Sequence, residues 1–365
     1  MKKLNIFVDS HVFDDGFQGT TTYLKGLYQE LIKNSDKHFF FAAKNIKNLQ
    51  DIFGLQDNIT YLKYASGNKF YRLMIDIPKL VKKHKIDYAH FQYIVPPIKR
   101  CKYIVTVHDV LFIDFPDYFP FFNRVKNQFL FKVSAKISDV VLTVSEYSKK
   151  QIENHFGINN IHITTNAVSG EFFEAYKKEE IQKEILKKYN ISNYLIYVSR
   201  WEPRKNHNLI LKSFVDLGLY KKYSLVFIGE ITFENKEYTT LLNTLDITIK
   251  EKIHSFENLK FIEMLKFLRG SQVSMYPSLA EGFGIPPLES VAAGIPTITS
   301  NATAMSDFDF LKEYSFNPLN QQEFEEKLLK TLREGDIKVE ELRQYLKDKY
   351  SWEKSARNYN LALKA

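Results

Sequence analysis

Cysteine is almost absent: Cys101 is the one thiol in 365 residues. That excludes an internal disulfide and a cysteine-ligated zinc cluster, and a reducing compartment is expected. Long apolar runs are missing too. No stretch reaches the roughly 20 apolar residues of a membrane-spanning helix. The opening MKKLNIFVDSH has two lysines but no apolar stretch of about 7–15 residues, so it reads as a first strand and not as a secretion signal. There is no HExxH, Walker P-loop, GxSxG or paired-cysteine motif. The glycines around Gly16–Gly19 in FDDGFQGTTTYL lack the GxGxxG spacing of a dinucleotide fingerprint.

What is present is an ordinary globular composition, 44% apolar and 26% charged. It excludes disorder, collagen and a small disulfide scaffold, and the length suggests two domains. Lysine and arginine exceed the acids by 51 to 43, a net charge of +8. Such an excess suits nucleic acid, an anionic membrane or phosphate-bearing small molecules. No nucleic-acid motif accompanies it, so nucleic acid is not expected as a partner.

Short apolar runs alternate with helical patterns along the whole chain. Leu4–Val8, Phe39–Ala43, Ile59–Leu62, Tyr88–Phe91, Tyr103–Val107 and Val140–Val144 are β-branched or aromatic and apolar on both faces, as buried parallel strands require. Thr22–Lys33 and Arg72–His84 read as helices. After a charged interval, Ser169–Asn193, the rhythm restarts with Tyr194–Val198, Ser224–Ile228, Leu259–Ile262, Val273–Tyr276 and Pro296–Ser300. Phe324–Leu332 and Val339–Tyr350 read as closing helices. The expected fold is α/β: two Rossmann-like doubly wound domains, residues 1–170 and 190–350, with ligands at the carboxyl ends of strands in a central cleft.

Glycine and proline gather in one place. Pro277–Pro296, PSLAEGFGIPPLESVAAGIP, holds four of the eleven prolines and three of the fourteen glycines. A strand ends at Tyr276, a glycine loop follows, and a helix starts near Pro286–Pro287. Gly282 and Gly284 let backbone amides approach a ligand, and the helix start adds partial positive charge. Glu281 and Glu289 frame this loop, Glu289 in the first helical turn, and ionised carboxylates suit a cluster of hydroxyls. In VSRWEPRKNHNLIL, Arg200 and Lys205 follow another strand and suit a diphosphate, whereas Arg204 and His207 read as solvated or capping. His108 and Asp109 follow the strand Tyr103–Val107. Asp307–Phe308–Asp309 reads as a cap or as solvated carboxylates.

Together these motifs resemble the family 4 retaining glycosyltransferases. Glu281-Gly-Phe-Gly-Ile-Pro-Pro-Leu-Glu289 is similar to that family's glutamate–seven residues–glutamate motif, and Arg200 with Lys205 to its diphosphate pair. Val107-His108-Asp109 with Phe115–Phe119 resembles the first-domain loop of bacterial members, many of them mannosyltransferases of polysaccharide assembly. Thr143-Val-Ser145 and Tyr350-Ser-Trp352-Glu353 extend the likeness over nearly the whole chain. The resemblance implies a GT-B fold whose C-terminal helix, 351–365, packs back on the first domain. It implies that Glu281, His108 and the amides around Gly282, Phe283, Gly284 and Ile285 lie at the donor sugar. Glu289 would take the ribose hydroxyls, Arg200 and Lys205 the diphosphate, and Gly16 and Gly19 would lie near phosphate and acceptor. Two departures stand out: Phe261–Leu265 runs on without the usual loop after a strand, and the usual glycine near Thr303–Ala304 is absent.

The implied activity is retaining transfer of a hexose, with mannose from GDP-mannose as the expected donor, to a glycan or lipid-linked acceptor. No cofactor or metal is expected, because two cations already offset the diphosphate charge. A GT-B epimerase or phosphorylase, or a non-catalytic sugar-nucleotide binder, is the alternative. Glu281→Ala is expected to remove activity at little cost in stability. The expected location is the cytoplasm, with peripheral contact at the inner face of the membrane. That contact would use Phe121–Ile137, where Phe122, Phe129 and Val133 share one helical face amid Arg124, Lys126, Lys132 and Lys136. The same pattern also describes a core-facing helix with solvated lysines.

Overall fold

The computed structural model describes residues 3–14, 19–33, 36–233, 235–335 and 338–364. Contacts divide the chain into two compact units, Met1–Ala167 with Tyr350–Ala365, and Val168–Lys349. Each is a parallel sheet flanked by helices, the Rossmann-like architecture expected.

In the first unit the described strands are β1 (Leu4–Asp9), β2 (Lys37–Ala43), β3 (Ile59–Lys63), β4 (Tyr88–Gln92), β5 (Lys102–Thr106), β6 (Val140–Thr143) and β7 (Ile161–Ile163), in the order β3-β2-β1-β4-β5-β6-β7. The central strands are almost wholly buried because they are covered on both faces; Ile6, Phe7, Val8, Ala89, Phe91, Ile104 and Val105 lie in the core. Burying one such large apolar side chain contributes about 1.5–3 kcal/mol. The last helix, Trp352–Ala362, belongs to this unit. It closes on the helix Gly19–Leu31, where a Cβ on Gly26 would collide with the Trp352 ring. Ser355 Oγ donates to the Thr165 carbonyl at 2.7 Å, and the Tyr28 and Tyr359 hydroxyls meet at 3.3 Å.

The second unit contains β8 (Tyr194–Val198), β9 (Ser224–Ile228), β10 (Ile253–Phe256), β11 (Val273–Tyr276), β12 (Thr297–Ser300) and β13 (Ser315–Phe316), ordered β10-β9-β8-β11-β12-β13. Strand order reverses between β1 and β4 in one sheet and between β8 and β11 in the other. Those reversals open crevices at the carboxyl ends of the strands.

Three elements depart from the sequence reading. Leu259–Ile262 is not a strand. The strand is Ile253–Phe256, and Phe261 opens the helix Phe261–Gly270. Ile253–Phe256 is a partly exposed edge strand with a weak apolar signal, whereas Phe261, Leu265 and Leu268 form a helical stripe with Leu265 and Leu268 buried. The missing loop after Phe261 is thus a helix start. The charged interval 169–193 is no bare linker: Lys178–Tyr189 is a helix of the second unit, held to Phe261–Gly270 by Tyr189 Oη to Glu263 at 2.7 Å and Gln182 Nε2 to the Gly270 carbonyl at 3.0 Å. Finally, the predicted helix Arg72–His84 contains a π-helical stretch, Arg72–Asp76, before Ile77–Lys83.

Candidate functional site

The reversal between β8 and β11 explains how residues far apart in sequence meet. β8 delivers Ser199–Lys205 to its carboxyl end, and β11 delivers Pro277–Gly284 beside it. The turn Pro203–Lys205 is locked by Lys205 N–H to the Glu202 carbonyl at 2.9 Å. Leu279 N–H donates to the Arg204 carbonyl at 2.7 Å, which ties the two loops together by backbone, and Tyr197 Oη of β8 donates to the Lys205 carbonyl at 2.8 Å. A Cβ on Gly229, after β9, would strike the Ser199 carbonyl, so the neighbouring loop also packs tightly here.

An ion cluster sits on this frame. Lys205 Nζ lies 2.5 Å from Glu281 Oε1, and Arg204 Nη1 lies 2.9 Å from Glu281 Oε2. Arg204 also donates to the Ala280 carbonyl at 2.7 Å and pairs with Glu202 at 2.6 Å. Burial alone would raise the Glu281 pKa, but Lys205 and Arg204 overcome it and hold the carboxyl at about 2. Burial, opposed by Glu281 and reinforced by Arg204, lowers the Lys205 pKa. Arg200 differs: its side chain is 48% exposed and reaches Glu202 only at 3.4 Å. Three cations and two carboxylates leave one positive charge in excess, with Arg200 on the open side. An incoming diphosphate fits that excess.

Three expectations change here. Arg204 is not solvated; it is the fork that orients Glu281. Loss of Glu281 is not cheap, because it strands two partly buried cations. His207 is also neither solvated nor a cap. It is buried, stacked on Trp201 at 4.0 Å, and its pKa is pushed down to about 3 by burial and then by Lys205.

The loop after Glu281 continues into the helix Ile285–Ala292, with Gly284 at its N-cap. Gly284 has φ of +98°, and a Cβ there would press on Met305 Cγ at 2.9 Å, so glycine is required. Phe283 packs edge-on against Phe308, making its ring a wall of the loop. Ile285 is the first helical residue. Glu289 lies in the second turn and not the first, out of the range where the helix dipole acts most strongly. Its carboxyl has no hydrogen-bond partner among the described residues, and burial pushes its pKa up to about 7. It keeps partial solvent access, so a hydroxyl-bearing ligand can reach it.

Thr303 has a role that sequence reading does not assign to it. Its Oγ1 accepts the Glu281 N–H at 2.8 Å, and its φ is +52°. A β-branched residue is strained in this region. The resemblance expects a glycine near Thr303–Ala304, and here Thr303 takes the left-handed backbone conformation and adds a hydrogen bond to the loop.

In the first unit, His108 follows β5 and is buried. Its Nε2–H donates to Gln92 Oε1 at 2.6 Å, at the end of β4, and Tyr23 meets the ring edge-on at 5.0 Å. Burial pushes its pKa down to about 3, so the ring is neutral and its tautomer is set by Gln92. Asp9, at the end of β1, is buried against Tyr64 Oη at 2.7 Å and Arg72 at 3.6 Å. Gly19 is the exposed first residue of its helix; Gly16 lies outside the described residues. Among the described residues no group of three histidine, cysteine or acidic side chains is arranged to hold a metal. None of the described helices is long and apolar enough to cross a membrane.

Residues 177–350 match the family model described as Glycosyl transferases group 1, and residues 17–172 match the one described as Glycosyltransferase Family 4. The chain is 30% identical over 201 residues to the O-antigen chain mannosyltransferase RfbU of Salmonella typhimurium, over 54% of this chain and 51% of that protein. It is 26% identical over 233 residues to the O-antigen chain mannosyltransferase B of Escherichia coli, over 60% of each. The chain thus spans about half to three fifths of these curated relatives. Among solved structures, sucrose-phosphate synthase from Thermosynechococcus elongatus matches 100% of this chain and 98% of its own, with a TM-score of 0.77 at 12% identity. At that identity the likeness is one of fold.

Proposed function

We propose, from the premise that this chain belongs to the family 4 glycosyltransferases, that it moves a hexose from a nucleotide-diphosphate sugar to an acceptor with retention at the anomeric carbon. The observation that carries this reading is the Lys205–Glu281–Arg204 cluster at the β8/β11 reversal, with Arg200 beside it. A retaining transfer needs a stabilised leaving group more than a strong base. Arg200 and Lys205 would hold the departing diphosphate by preorganised charge. A phosphate oxygen would take the acceptor's proton on the same face of the sugar. Glu281, ionised and fixed, would accept hydrogen bonds from donor-sugar hydroxyls, and Glu289 from the ribose. His108 of the first unit, neutral, would act through hydrogen bonding and not through charge.

The finer reading is mannose from GDP-mannose, delivered to a glycan or lipid-linked acceptor in surface polysaccharide synthesis. It is supported by the likeness to the two O-antigen mannosyltransferases. A thermal-melt panel of GDP, UDP, ADP and their sugars tests it, since a ligand at 100 times its Kd adds about 2.7 kcal/mol to apparent stability. GDP and GDP-mannose are expected to raise the melting temperature most. Failure of every nucleoside diphosphate to do so removes the transferase reading. Turnover assays then separate the alternatives: binding without turnover marks a non-catalytic protein, an altered sugar nucleotide without acceptor marks an epimerase, and dependence on inorganic phosphate marks a phosphorylase.

A further inference from the structure

The helix Phe121–Ile137 turns its aromatic face away from the core. Its buried side is Phe131, Ser134 and Ala135. The opposite side shows Phe122 at 84% exposure, Phe129 at 67% and Val125 at 52%, with Val133 also exposed. The core-facing reading of Phe122, Phe129 and Val133 is therefore corrected: the stripe points to solvent.

Such a display is unusual, since contiguous exposed apolar surface marks an interaction site. The charge around it is one-sided. The 17 residues hold Arg124, Lys126, Lys132 and Lys136 and no acid. At 100° per residue, Lys136 falls within the apolar stripe, while Lys126 and Lys132 flank it.

We infer that this face docks on an anionic lipid bilayer surface, with Phe122 and Phe129 entering the headgroup boundary and the surrounding lysines meeting lipid phosphates. Aromatic rings insert where one side is apolar and the other wet. Lysine stems lie along apolar surface while their ammonium groups reach outward. A protein partner of ordinary composition would be expected to answer the aromatics but to leave the three like charges of Lys126, Lys132 and Lys136 without a matching acidic surface, whereas Arg124 lies on the buried side and donates to the Pro116 carbonyl. An anionic bilayer answers both at once. The helix is about 25 Å long at 1.5 Å per residue, enough to lie along such a surface. This docking does not rest on the transferase reading, because it is measured without donor or acceptor.

The test is sedimentation of the full chain with vesicles of phosphatidylcholine alone, or mixed with phosphatidylglycerol, at low and high salt. Binding is expected on the mixed vesicles at low salt, weakened at high salt by screening, and absent on phosphatidylcholine alone. Phe122→Ser with Phe129→Ser should abolish it. Lys126→Glu with Lys136→Glu should lower partitioning about fivefold or more for each charge. All four positions are exposed, and unchanged melting curves confirm that the variants fold. No binding to anionic vesicles at low salt, or equal binding by the Phe122→Ser/Phe129→Ser protein, overturns the inference. So does a concentration-dependent dimer, seen by sedimentation velocity, that the same aromatic variant dissolves, because the face would then belong to a second copy.

Discussion

Replacing Glu281 by glutamine gives the sharpest test of the ion cluster. The carboxyl is held at about 2 instead of 4.5, a gap worth about 3 kcal/mol of charge stabilisation. Its side chain is only 12% exposed, so solvent screening removes little of this. Glutamine keeps the shape but leaves Arg204 and Lys205 uncompensated, and a loss of about 3 kcal/mol at pH 7 is expected. A carboxyl whose pKa falls on folding contributes stability above its unfolded pKa of 4.5 and loses it as pH drops toward 2. By linkage, just under 1 kcal/mol of the wild-type advantage is gone at pH 4 and about 2 kcal/mol at pH 3. The assay uses the two tryptophans, Trp201 and Trp352, which fall one in each unit. In a Trp352→Phe background, Trp201 reports urea unfolding of the second unit alone. A Glu281→Gln protein within about 1 kcal/mol of its parent at pH 7, with parallel dependence on pH down to 4, refutes the pairing.

Three further outcomes follow from the same geometry. Arg200→Ala or Lys205→Ala should each weaken nucleoside-diphosphate binding by about 1.5–3 kcal/mol in calorimetry; equal affinity for the monophosphate and diphosphate argues against a diphosphate role. Glu289, its pKa raised to about 7 by burial, is protonated at pH 6 and ionised at pH 8, so donor affinity should rise across that interval and go flat in Glu289→Gln. A flat wild-type profile would place the ribose elsewhere. Thr303→Ala should lose about 1 kcal/mol with its hydrogen bond, while Thr303→Gly, free of the strain at φ +52°, should recover about 1 kcal/mol of it. An alanine variant more stable than the glycine one contradicts that account of strain.

The sequence made the central strands legible and three of the four edge strands, β7, β10 and β13, obscure, for one physical reason. β8, β9 and β11 are buried on both faces and are written as nearly continuous apolar runs. β10 is partly exposed, β7 has three residues and β13 two, so their composition resembles that of loops and helix starts. The same logic hid the outward aromatic stripe. Helical periodicity shows that Phe122, Phe129 and Val133 share a face, but not which side of the helix meets the sheet. Packing of Phe131 and Ala135 decides that.

Within the site, Glu281 and Lys205 were readable because each follows a strand end, but their pairing was not. It arises from the β8/β11 adjacency, which brings together residues 76 apart. Arg204 was misread because one more cation in a basic chain looks solvated; the signal available was the proline turn Pro203–Lys205, which sets consecutive cations on one bend. What the cluster is for follows from its energetics. A buried ion group is no better for stability than well-packed apolar residues of the same volume, since desolvation cancels most of its attraction. Its gain is positional. Arg204, committed to Glu202, Glu281 and the Ala280 carbonyl, fixes the carboxylate, and the carboxylate fixes Lys205 Nζ. Thr303 holds the same loop through the Glu281 amide. A transfer reaction that depends on charge held in place before the leaving group departs uses that rigidity directly.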